Sequence, residues 1–148
     1  MHFTTLFILS GENLENTSAQ QIEDLFCDNF CYCCGETHPK YQSWCDWFQI
    51  GGRWCDILKA KKGIHCVRGW SNDNAPIEND KFSIVNISDL TGKLPRNQIY
   101  AVATRSRIYL ENDEWQGGDV NPTKFHQLLD MIDNKQLNGV IALIDCHD

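Results

Sequence analysis

Between Ser43 and Trp54 the chain reads S-W-C-D-W-F-Q-I-G-G-R-W. This stretch combines Trp44, Trp47 and Trp54 with Asp46, the pair Gly51-Gly52, and Arg53. It is too aromatic for ordinary surface and too rich in glycine and charge for ordinary core. The chemistry these types support is ligand binding. Glycines let backbone amides approach a ligand closely. An arginine offers a planar fork to phosphate or carboxylate, and a tryptophan face accepts a base or ring. The competing reading is architectural: the tryptophans fill the core, while Asp46 and Arg53 form an ion pair across a bulge. No G-x-G-x-x-G or G-K-[ST] pattern accompanies the Gly-Gly-Arg.

A second polar group closes the chain, Asp145-Cys146-His147-Asp148. Neighbours on a strand point to opposite faces, so Cys146 and His147 cannot act as a nucleophile pair with one another. Asp145 and His147 share a face and can form an orienting pair, and Asp145 is placed to reach Arg53. The expected binding set is therefore Asp46, Trp47, Gly51, Gly52, Arg53, Trp54, Asp145 and His147. No catalytic residue is assigned.

The chain has eight cysteines, and Cys27, Cys31, Cys33, Cys34, Cys45, Cys55 and Cys66 crowd into its first half. Without a secretory leader, reduced thiols are expected over a disulfide framework. Cys31-x-x-Cys34-Gly35 has the spacing at which two thiolates grip one tetrahedral ion. The zinc set expected on that ground is Cys31, Cys34, His38 and Cys45, a structural site that pins an irregular loop. Plain reduced cysteines packed as small hydrophobes are the alternative.

The elements that must position these groups follow from pattern. The 148 residues fit one domain with a real core. Phe3 to Leu9 reads as a buried strand rather than a signal peptide, because no basic segment or cleavage pattern accompanies it. Thr17-Ser18 caps a helix from Ala19 to about Asn29, with Gln20 or Gln21 near the N3 position. Cys31 to Pro39 is a loop, and Trp44 to Ile50 a strand broken by Gly51-Gly52. Trp54 to Leu58 resumes as a short strand or turn. Lys59 to Gly63 is a basic turn, and Ser71 to Asp80 a polar loop. Lys81 to Ile87 is a strand or short helix. Ile99 to Leu110 is a strand or a hairpin bent near Arg105-Ser106. Asn121-Pro122 opens a helix striped by Phe125, Leu128, Leu129 and Ile132 and ended by Asn138-Gly139. Val140 to Asp145 is a final buried strand. The order predicts an α+β, ferredoxin-like antiparallel sheet with two helices on one face, and residues 31–80 as a Cys/Trp-rich insertion.

The net charge of −7, from 20 acids against 13 lysines and arginines, argues against bulk nucleic-acid binding. No apolar run reaches membrane-spanning length.

Asp46 to Trp54, D-W-F-Q-I-G-G-R-W, resembles the D-W-[YF]-x-[IL]-G-G-R-W signature of small uncharacterised proteins of bacteriophages and prophages. The opening His2-Phe3-Thr4, Pro39-Lys40 with Trp44, and the closing Ile144-Asp145-Cys146-His147 are similar too. These islands cover only a small part of the chain. The cysteines from Cys27 to Cys34 depart from the pattern, so the resemblance implies no metal. What it implies is context, a phage-encoded protein in the cytoplasm of a bacterial host. The expectation is a non-catalytic accessory protein that binds and inhibits or sequesters a host component, either a defence protein or a nucleotide signal. The alternative is an enzyme acting on a phosphate-bearing or nucleotide substrate.

Overall fold

The computed structural model describes residues 1–31, 44–55, 57–65, 79–112 and 118–148. The sheet is built on two nine-residue strands, β1 (His2–Ser10) and β9 (Gly139–His147), which pair antiparallel along their whole length. Almost every residue of both is buried, as expected of a central pair covered on both faces. Beside β1 runs β6 (Ala101–Ala103), parallel to it. Beyond β6 lie β7 (Ile108–Leu110), antiparallel to β6, and β8 (Asp119–Val120), parallel to β7. The outer edge of β9 is shared. Toward its C-terminal end it pairs with β2 (Trp47–Ile50), and further back with β5 (Ile84–Asn86). A separate two-stranded sheet joins β3 (Leu58–Lys59) to β4 (Lys81–Phe82).

The α+β class holds, but the sheet is mixed rather than antiparallel, because β6 lies parallel to β1. The helices also differ from expectation by packing on opposite faces. In α1 (Ala19–Phe30), Ile22, Phe26 and Phe30 pack with Phe3, Phe7 and Leu9 of β1. In α2 (Pro122–Asp133), Phe125, Leu128, Leu129 and Ile132 pack with Leu6 and Ile8. The alternation of side chains along β1 divides its apolar residues between these two cores. Part of the Cys/Trp-rich segment, Trp47–Ile50, enters the main sheet as β2.

The helix starts follow their caps. Ser18 and Gln21 form a reciprocal capping box on α1. The Asn121 side chain accepts from the Lys124 amide at the start of α2, with Pro122 in the first turn. The second helix ends at Asp133, earlier than Asn138-Gly139, and Lys135 turns the chain with φ of 55°. Asp133 accepts from the Leu94 amide (2.8 Å) and from Arg96 (2.9 Å), which fastens α2 to the segment before β6. Burial opposes the charge on Arg96. Its bonds to Asp130 and Asp133 outweigh that and raise the guanidinium above its ordinary value.

Among the described residues no helix is long and apolar enough to cross a membrane.

Candidate functional site

The polar groups singled out at the two ends of the sequence meet at one corner of the sheet. Strand register brings them there. His147 on β9 is flanked by His2 on β1 and Trp47 on β2, and Asp145 is flanked by Thr4 and Gln49. Paired residues on neighbouring strands share a face, and so do residues two apart on one strand. These six side chains therefore continue the face that carries Leu6 and Leu143, the face covered by α2.

Asp145 is the hub. Its side chain is 1% exposed, a position that a carboxylate occupies only when paired. One oxygen lies 2.8 Å from His2 Nδ1, and the other accepts from the Arg53 backbone N–H at 2.8 Å. The Gly51-Gly52 break is what presents that amide. At this point β9's partner changes from β2 to β5, and the junction is closed by Gly51 N–H on the Leu143 carbonyl and Leu143 N–H on the Ser83 carbonyl. Gly51 and Gly52 have φ of 82° and 50°. In this left-handed region a glycine meets no side-chain penalty. A Cβ on Gly51 would stand 2.7 Å from Ser83 Oγ, and one on Gly52 only 2.5 Å from Asp145 Cβ. The Trp54 N–H closes the turn on the Gly51 carbonyl (2.8 Å).

The second pair lies alongside. His147 Nδ1 is 3.1 Å from Asp46 Oδ1, with both side chains about half exposed. The rings of His2 and His147 have centroids 5.0 Å apart at 71°. Trp47 is T-shaped to both, with centroids at 6.2 and 6.3 Å. Trp47 is also one of the few exposed large hydrophobic residues among those described. A carboxylate oxygen only accepts, so each Nδ1 facing one carries the proton. In the neutral ring that leaves Nε2 with the lone pair. Two oriented imidazoles, an aromatic edge and an exposed arginine anchored by its main chain thus share one corner. Such a group can bind an anion and move protons.

Of the eight expected binding residues, seven gather here. Trp54 is only partly exposed, and its side chain packs on the α2-side core. Two expected pairings are corrected. Asp145 holds His2 rather than His147, because the two longest strands are in flush register. Asp46 holds His147. Asp145 does reach Arg53, through its main chain. His2 is the residue that sequence reasoning missed. Its signal was the pairing of the first and last strands, which puts positions 2, 4, 145 and 147 on one face.

Cys146 points to the other face, as alternation requires, and its Sγ lies 3.4 Å from Thr5 Oγ1 in the α1-side core. Of the expected zinc ligands, Cys31 and Cys45 are buried bridge partners, and Cys34 and His38 lie outside the described residues. Two neighbouring thiols supply half a tetrahedral shell. Among the described residues no group of three or more His, Cys, Asp or Glu is placed to hold a metal ion. Cys27 is disulfide-bonded, which departs from the expectation of reduced thiols, while Cys31, Cys45, Cys55 and Cys146 form no disulfide.

No protein-family model, curated protein or solved structure matches the chain.

Proposed function

We propose that this corner binds a small phosphate-bearing, nucleotide-like molecule, and that the protein is a phage-encoded accessory protein that sequesters this host component in the bacterial cytoplasm. The observation that carries the reading is the exposed Trp47 beside His2 and His147, on a frame fixed by Asp145 and the Arg53 amide. Stacking on an indole suits a base, and an arginine fork suits phosphate. The acidic surface does not prevent this, because Asp145 and Asp46 are each engaged with a histidine. The small ligand is preferred to a host defence protein because the polar groups are few and converge on one point.

The test is calorimetric titration with AMP, ATP, 3′,5′-cyclic AMP and inorganic phosphate. Arg53→Ala and Trp47→Ala should each weaken nucleotide binding by about tenfold or more, equivalent to about 1.4 kcal/mol. Both sites are exposed, so the melting temperature should move by no more than about 2 °C. Binding unaffected by either substitution, or binding only to a host protein, defeats the small-ligand reading.

The two Asp-held histidines favour a second reading, an enzyme acting on the same kind of ligand. Structural zinc on Cys31, Cys34, His38 and Cys45 belongs to the proposal as well. One equivalent of metal should purify with the protein, and Cys34→Ser should release it. Elemental analysis that returns no metal ends the zinc reading.

A further inference from the structure

We infer that the His2–His147 pair makes this corner a hydrolytic site for nucleotide phosphodiesters, with one ring as general base and the other as general acid. The inference rests on the reading that the corner holds a phosphate-bearing ligand and goes beyond it by assigning turnover.

Hydrolysis at phosphorus needs two proton movements in one event, one from the attacking water and one to the departing oxygen. Imidazole is the side chain whose ordinary titration range spans neutral pH, so two of them can present a neutral and a protonated ring together. The corner places two imidazoles side by side. His2 is held through Nδ1 by buried Asp145 at 2.8 Å, and His147 through Nδ1 by Asp46 at 3.1 Å. In each case the carboxylate fixes the ring and the tautomer and leaves Nε2 for chemistry, the role an aspartate plays behind a catalytic histidine. With centroids 5.0 Å apart on paired strands, both rings can serve oxygens of a single phosphate. Trp47, T-shaped to both rings and 37% exposed, borders the same corner.

In the step, the neutral ring takes a proton from water as the water oxygen bonds to phosphorus. The bond from phosphorus to the leaving ester oxygen breaks with its electron pair on that oxygen, and the protonated ring delivers its proton there. The products are a phosphomonoester and an alcohol. The rings end with exchanged protonation states, which solvent restores, and no oxidant or reductant takes part. His2 and His147 are the catalytic residues, and Asp145 and Asp46 are positioning residues.

The test incubates the full chain with bis(4-nitrophenyl) phosphate, 3′,5′-cyclic AMP and the dinucleoside phosphate ApA. Products are followed by absorbance and by phosphorus NMR, and binding by calorimetry in parallel. The wild-type protein should release alcohol and phosphomonoester from at least one of the three. His147→Asn leaves the buried Asp145 contacts in place and should lower kcat by about 10²- to 10⁴-fold with little change in KM. His2→Gln should lower kcat comparably, with circular dichroism confirming the fold. Asp46→Asn should lower kcat by a smaller factor, again without raising KM. Binding of the diesters without turnover overturns the inference and leaves the binding reading standing. Turnover by His147→Asn at the wild-type rate also overturns it. Absence of both binding and turnover defeats both readings.

Discussion

Replacing Gly52 with alanine is expected to destabilise the fold by about 2–5 kcal/mol and to dismantle the corner around Asp145. Two costs combine. A residue with a side chain loses about 1–2 kcal/mol in left-handed backbone, and Gly52 has φ of 50°. The new methyl group would also stand 2.5 Å from Asp145 Cβ and 2.8 Å from its Cγ. Asp145 cannot swing aside, because it is buried in a central strand and tied at both oxygens to His2 and the Arg53 amide. Overpacking of this kind adds about 1–3 kcal/mol. Gly11 separates the two costs. Its φ is 82°, and a Cβ there would meet nothing within 4 Å. Gly11→Ala should lose only the backbone component, about 1–2 kcal/mol. Urea denaturation of both variants checks this, and equal losses at the two positions would remove the steric argument for Gly52.

Trp44→Ala should cost about 3–5 kcal/mol, the usual range for emptying a buried aromatic site. Trp44 is fully buried, edge-on to Phe3 at 5.1 Å and stacked on Tyr100 at 6.3 Å. Its Nε1–H donates to Thr5 Oγ1 at 3.1 Å, so the change also removes a donor from a buried hydroxyl. A loss of that size is a large share of the total stability of a domain, about 5–15 kcal/mol. Trp47, only three residues on, is exposed on the opposite face, and its replacement should cost about 0.5 kcal/mol or less. Parallel denaturation curves for the two variants would show this contrast directly. A comparable loss at Trp47 would mean that it is architecture rather than a ligand platform.

That contrast marks how far the sequence could be read. The tryptophan stretch was recognisable as a mixture of buried and exposed aromatics, but which tryptophan was which depended on where β2 begins. Trp44 falls before the strand, and Trp47 opens it. Composition is the same at both positions, and register decides between them. The local signals performed well where physics is local. The Ser18–Gln21 box and the Asn121-Pro122 start are capping chemistry, and the Gly51-Gly52 break and the turn between β6 and β7 are backbone chemistry. The parallel pairing of β6 with β1 and the opposed helices were not legible, because both depend on long-range crossovers. His2 escaped notice for the same reason. Its partner Asp145 is 143 positions away, and only the flush pairing of the first and last strands brings them together.

Chemical-shift mapping of the full chain during titration with a nucleotide would show whether a ligand sits at this corner. The Arg53 amide, the Trp47 indole N–H and the His2 and His147 imidazoles should shift together and saturate at one ligand per chain. Shifts confined to another surface, such as the exposed side of α2, or no shifts at saturating nucleotide, would contradict the claim.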